Sequence, residues 1–135
     1  MQDAPRPAGQ EEDPATVKTV LIVEDDADIG EALTAILQDT TPYEVIRVSD
    51  GFAALKVVRT LIAQLVLLDY LLPGMDGLEC LTRLRESKGM ERTPVILMSA
   101  AFPKGIEVRP DLVFLEKPFE MDTLLDLIRQ LLEKS

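Results

Sequence analysis

Val20-Leu21-Ile22-Val23-Glu24-Asp25-Asp26 and Leu65-Val66-Leu67-Leu68-Asp69 are the two stretches that decide how this chain folds. Each is a short apolar run that ends abruptly in carboxylates. Runs of this length without alternation read as strands buried on both faces, the pattern of a parallel sheet covered by helices. Parallel neighbours present their C-terminal ends on one edge, so Glu24, Asp25 and Asp69 are expected to meet in the crevice where open parallel sheets bind ligands. Two unit charges about 4 Å apart repel by roughly 4 kcal/mol at an effective dielectric near 20. Such a cluster must take up protons or hold a hard, oxygen-seeking cation such as Mg²⁺. The cation is the expected solution, with Asp26 read as the cap of the following helix.

Working outward from these runs, strand and helix alternate along the chain. Ile29, Leu33, Ile36 and Leu37 recur at helical spacing, and that helix should stop before Thr41-Pro42, because a residue preceding proline disfavours helix. Tyr43 to Val48 partly alternates as a strand, and Ser49-Asp50-Gly51 supplies a turn and an N-cap for a helix through Ala53, Leu55 and Val58. After Asp69 comes a loop punctuated by Pro73, Gly74 and Gly77, then a helix carrying Leu78, Leu81 and Leu84. Pro94 to Met98 reads as a strand ending in Ser99, and Leu112 to Leu115 as one ending in Glu116-Lys117-Pro118. Leu124, Ile128, Leu131 and Leu132 mark a closing helix. This order predicts an α/β fold with a five-stranded parallel, doubly wound sheet and right-handed crossovers. Its functional edge collects Glu24, Asp25, Asp69, Ser99 and Lys117.

Composition sets outer limits. The 135 residues, 47% hydrophobic, suffice for one domain with a full core. Residues 1–16 carry three prolines, a glycine and four acids without apolar periodicity and read as a flexible tail, with the folded domain over 17–135. No apolar run reaches the length of a membrane span and no signal peptide is evident, so a cytoplasmic location is expected. The single Cys80 excludes an internal disulfide or a cysteine metal cluster and reads as a buried structural thiol. A net charge of −10 opposes direct binding to nucleic acid or to an anionic membrane, which leaves proteins as the expected partners.

The residues on the functional edge fit one chemistry. A carboxylate can accept a phosphoryl group as an acyl phosphate when a divalent cation neutralises the incoming oxygens and a fixed ammonium and hydroxyl hold the others. Asp69 would be the nucleophile, Glu24 and Asp25 would support Mg²⁺, Ser99 would donate to a phosphoryl oxygen, and Lys117 would act as a point charge. The motifs VLIVEDD at 20–26, LVLLDYLLPGMDG at 65–77, PVILMSA at 94–100 and FLEKPF at 114–119 resemble, in order and spacing, the receiver domains of bacterial response regulators. That resemblance covers Val17 to the C-terminus and implies the flavodoxin-like receiver fold. It implies Asp69 as phosphoacceptor, the backbone carbonyl of Leu71 as a further metal ligand, a cis peptide between Lys117 and Pro118, and a switch built from Ser99 and an aromatic at Phe114. It also implies a signalling domain that promotes only its own phosphorylation and dephosphorylation rather than an enzyme acting on other substrates.

The chain contains no histidine. A phosphoryl donor of the two-component type, a histidine kinase or a histidine phosphotransfer protein, must therefore act in trans, with an unidentified protein target downstream. Whether the domain stands alone or belongs to a hybrid kinase is left open. One departure from the family stands out: residues 100–111, between the fourth and fifth strands, contain Pro103, Gly105 and Pro110. Twelve residues just meet the minimum of about a dozen for a parallel crossover, and proline inside a helix costs about 3 kcal/mol. The helix usual at that place is expected to be shortened or missing, leaving an irregular, mobile segment. The competing reading is a pseudo-receiver that acts only as a protein-binding module, and the complete set of five edge residues argues against it. A dehalogenase-like phosphatase would need a second aspartate where Leu71 stands, and no nucleotide-binding glycine motif is present.

Overall fold

The computed structural model describes residues 17–102, 104–105 and 111–133. The tail expected at 1–16 lies outside the described residues. Five parallel strands, β1 (Thr19–Val23), β2 (Glu44–Val48), β3 (Leu65–Asp69), β4 (Val95–Ser99) and β5 (Leu112–Glu116), form one sheet in the order β2-β1-β3-β4-β5. Four helices complete the described residues: α1 (Ala27–Thr40), α2 (Gly51–Val57), α3 (Gly77–Arg85) and α4 (Met121–Glu133).

The central strands show why continuous apolar runs were required. Every residue of β1, β3 and β4 is buried. Successive side chains point to opposite faces, so Leu21, Val23, Val66, Leu68, Val95 and Leu97 enter one core with Ala54, Cys80, Leu81 and Leu84 from α2 and α3. Val20, Ile22, Leu65, Leu67, Ile96 and Met98 enter the other with Leu33 and Leu37 from α1 and Leu124, Ile128 and Leu132 from α4. Full burial of one such side chain stabilises by about 1.5–3 kcal/mol. Two or three of them outweigh the repulsion of a carboxylate pair at the sheet edge, so the core fixes the strands and the acids must accept where they are put. Cys80 is buried as expected, and burial pushes its thiol up to about 12.

Three aspartates start the helices on the functional edge. Asp26 accepts from the Ile29 N–H at 3.0 Å, Asp50 from Ala53 at 2.7 Å and Asp76 from Glu79 at 2.9 Å. In α1 the buried stripe is Gly30, Leu33 and Leu37. Ile29, expected on that stripe, is instead 43% exposed, while the side chain of Arg47 lies over Gly30. Between β4 and β5 no helix is present among the described residues. Ala100 and Ala101 bend and Lys104-Gly105 form a turn, while 103 and 106–110 of this crossover lie outside the described residues.

Candidate functional site

The strand order reverses at β1, which leads to α1 on one face of the sheet, whereas its neighbour β3 leads to α3 on the other. This is the switch point at which loops part and leave a crevice. Val23 pairs in register with Leu68, so the next residues, Glu24 and Asp69, leave the sheet side by side. One carboxylate oxygen from each of Glu24, Asp25 and Asp69 lies within 4.8 Å of the others. Glu24 and Asp69 are buried, whereas Asp25 is exposed.

Lys117 reaches this cluster from the end of β5. Its Nζ is 3.3 Å from Asp69 Oδ1 and 3.6 Å from Glu24 Oε1. Its backbone N–H donates to the Ser99 carbonyl at 2.9 Å, and the peptide that follows, Lys117-Pro118, is cis, as the family resemblance implied. Glu24 Oε2 accepts from the Asp26 N–H at 3.2 Å, but Glu24 Oε1 is buried without a hydrogen bond. Burial raises the pKa of the Glu24 carboxyl above its ordinary 4.5, with the neighbouring Asp69 charge adding to the rise while the Asp26 N–H and Lys117 oppose it.

A buried carboxylate oxygen that accepts no hydrogen bond and has its ammonium partner 3.6 Å away has room in its coordination for a cation. Three carboxylates against one ammonium leave a double negative charge, which matches a divalent ion, and all the donors are hard oxygens of the kind Mg²⁺ selects. The residues therefore fit the ion expected from sequence, with Glu24, Asp25 and Asp69 as the side chains able to hold it. Leu71, whose backbone carbonyl was implied as a further ligand, sits two residues beyond β3 with its side chain 69% exposed.

Ser99 ends β4 beside this cluster, but its hydroxyl is engaged with the crossover. It donates to the Ala101 carbonyl at 2.7 Å and accepts from the Ala101 N–H at 3.1 Å. Phe114 is partly buried and stacks on Phe102, with ring centroids 5.0 Å apart and planes inclined by 26°. Two glycines, Gly77, read as loop punctuation, and Gly30, given no role by the sequence reading, make close approaches near the site. A Cβ on Gly77 would lie 2.8 Å from both the Asp69 carbonyl oxygen and the Tyr70 Cα, so only glycine lets α3 start against the backbone of the β3 end. Gly30, the second, is the position that Arg47 crosses.

A profile of the response regulator receiver domain matches residues 20–129. The chain belongs to this family. Transcriptional regulatory protein DltR of Streptococcus agalactiae is 41% identical over 115 residues, which cover 82% of this chain and 50% of that protein. The receiver therefore spans about half the length of the curated relatives it matches. Among solved structures, the signal receiver domain of a signal transduction histidine kinase from Syntrophus aciditrophicus superposes with a TM-score of 0.77 at 28% identity, covering 87% of this chain and 91% of that one. The receiver domain of sensor histidine kinase PA1611 from Pseudomonas aeruginosa, described with magnesium in its active-site cleft, shares the fold with a TM-score of 0.77 at 23% identity, covering 88% of this chain and all of that one. The receiver is thus a signalling domain of two-component systems, and among its described residues no helix is long and apolar enough to cross a membrane.

Proposed function

We propose that this receiver accepts a phosphoryl group from a phosphohistidine onto Asp69 in the presence of Mg²⁺, and that the acyl phosphate switches its contacts with a downstream protein in the cytoplasm. The observation that carries this reading is the buried Glu24–Asp69 pair held by one ammonium, Lys117, with the Asp25 carboxylate in reach and one Glu24 oxygen, Oε1, within ion-pair range of Lys117 but accepting no hydrogen bond. Glu24, Asp25, Asp69 and the Leu71 carbonyl would hold the ion, and Mg²⁺, when bound, supplies charge neutralisation for the phosphoryl oxygens.

A lone pair on an Asp69 carboxylate oxygen forms the new O–P bond as the P–N bond to the donor imidazole breaks, and the electron pair of that bond leaves with the ring nitrogen. Lys117, already hydrogen-bonded to Asp69, is placed to pair with a phosphoryl oxygen once the carboxylate is phosphorylated. Attack of water on phosphorus later restores the carboxylate and releases phosphate, so the domain promotes only its own loading and unloading. The donor is a histidine kinase or a histidine phosphotransfer protein, since these 135 residues hold no histidine.

Ser99 links this chemistry to the crossover. Its hydroxyl can turn from the Ala101 carbonyl to a phosphoryl oxygen, which would release the 99–101 turn and let the Phe102–Phe114 stack rearrange. The test of the reading is intact-mass analysis after incubation with acetyl phosphate and Mg²⁺. A phosphate-sized gain is expected in the wild type and none in Asp69→Asn; an equal gain in Asp69→Asn would move the acceptor elsewhere.

A further inference from the structure

Asp25 is the one carboxylate of the cluster that no side-chain hydrogen bond holds among the described residues, and it is exposed. What aims it is the backbone before it. The peptide joining Glu24 to Asp25 is gripped at its carbonyl oxygen by Arg47, whose Nε and terminal amine donate at 3.1 and 2.6 Å. Two N–H groups of one planar guanidinium converge on one oxygen, a two-point contact that holds the carbonyl against the guanidinium plane. One residue upstream, the Glu24 N–H donates to Val48 at 3.1 Å. The fork therefore completes the fixation of the strand end, just before Asp25 departs from it.

Arg47 reaches that oxygen only by crossing α1 at Gly30. A Cβ there would lie 2.4 Å from Arg47 Nε and 2.8 Å from its Cζ. Glycine in the fourth position of a 14-residue helix works against helix propensity, and its φ is not in the left-handed region. Backbone conformation does not demand it, and the passage of the guanidinium does. Arg47 and Gly30 are thus one device, a side chain and the slot through which it passes.

We infer that Arg47, seated over Gly30, is a positioning residue for the cation site, acting through the Glu24–Asp25 peptide to aim the Asp25 carboxylate. The inference rests on the proposed Mg²⁺ reading. It differs from a charge effect, because the guanidinium grips a neutral carbonyl rather than the carboxylates, among which Lys117 is the paired cation.

The test is titration of the metal-free protein with MgCl₂, followed by amide chemical shifts, in the wild type, Arg47→Met, Arg47→Lys, Gly30→Ala and the double variant Gly30→Ala/Arg47→Met. Partners that orient metal ligands from outside typically contribute about 10- to 100-fold in affinity. Arg47→Met and Gly30→Ala are each expected to raise the Mg²⁺ Kd by about tenfold or more on that basis. In the double variant the Kd should match that of Arg47→Met, since the slot has no use once the side chain is gone. Arg47→Lys keeps the charge without the fork and is expected to bind weakly as well.

A Kd within about twofold of wild type in Arg47→Met or Arg47→Lys would overturn the positioning role while leaving the metal site intact. Losses that multiply in the double variant would show two independent defects and break the slot-and-fork pairing. Should Arg47→Met fail to fold, Gly30→Ala decides alone by the same Kd comparison. Absence of any Mg²⁺-dependent shift at Asp25 and Asp69 in the wild type would instead remove the metal reading itself, and this inference with it.

Discussion

Replacing Lys117 with methionine keeps most of the side-chain stem and removes the ammonium that lies 3.3 Å from Asp69 and 3.6 Å from Glu24. At an effective dielectric near 20, each of those contacts has a gross Coulomb energy of about 5 kcal/mol. The net loss on removal must be smaller, because the Lys117 side chain is 26% exposed and partly screened, and because the folded protein has an escape. Glu24, already raised above 4.5 by burial, can take up a proton. Protonating it at about pH 7.5, three units above 4.5, costs at most about 4 kcal/mol at roughly 1.4 kcal/mol per unit. That ceiling drops to about 1.4 kcal/mol near pH 5.5. Lys117→Met is therefore expected to destabilise the metal-free protein by about 2–4 kcal/mol near pH 7.5 and by about 1 kcal/mol near pH 5.5. Saturating Mg²⁺ should restore much of the loss at the higher pH by supplying the missing positive charge. Urea unfolding followed by far-ultraviolet circular dichroism, at both pH values with and without MgCl₂, measures all four quantities. An equal loss at both pH values would mean that Lys117 contributes packing rather than charge, and the electrostatic account of the cluster would fail.

The Glu24 carboxyl gives a second prediction. Because burial places its folded pKa above the unfolded 4.5, the stability it contributes is fully present below 4.5 and is lost as pH rises through the folded value. Glu24→Gln should therefore gain stability relative to the metal-free wild type as pH rises through that window, by about 1–2 kcal/mol at neutral pH; a pH-independent difference in urea midpoint would contradict it. A third prediction separates two glycines. Gly77→Ala drives a Cβ to 2.8 Å from the backbone at Asp69 and Tyr70, and should cost about 1–3 kcal/mol in urea unfolding. Gly51→Ala meets the Met75 sulfur at 2.9 Å, on a side chain that can move, and Cys80 only at ordinary contact distances of 3.4 and 3.5 Å, and should cost clearly less. Equal losses would show that the Gly77 contact relaxes.

Much of the sheet was legible because its signals are local. The runs at β1, β3 and β4 are buried on both faces, so their composition alone announces parallel strands, and the residue at which each run turns polar locates the functional edge. Asp26 as a helix cap was legible for the same reason, since its partner is three residues away. What escaped depends on contacts distant in sequence. Ile29 fits the helical period of α1 yet is exposed, while Gly30 is buried beneath Arg47, which arrives from β2, 17 residues further along the chain. A glycine inside an otherwise helical pattern was the available signal. The engagement of the Ser99 hydroxyl with Ala101 likewise follows from how the crossover bends rather than from the identity of the serine.

The crossover from β4 to β5 shows how such a connection is held where no helix is present among its described residues. At the site end, Ser99 and Ala101 close a tight hydrogen-bonded turn. Phe102 follows at once and stacks on Phe114 of β5, which lies in register with Leu97 of β4, so the two rings pack against the core shared with α2 and α3. At the far end, Arg85 from the end of α3 pairs with the Asp111 carboxylate at 3.2 Å and also donates to the Asp111 carbonyl, to Met90 and to Thr93. A helix would distribute its grip along a whole face. Among the described residues the grip includes an aromatic pair and an ion pair, and Phe102 of the aromatic pair is three residues from Ser99. Any event that turns Ser99 away from Ala101 acts on Phe102 through two intervening residues, with no helical hydrogen bonds among the described residues to absorb the change. Along the described residues the chain from the Ser99 hydroxyl to the Phe114 ring of β5 is thus one turn and one aromatic contact.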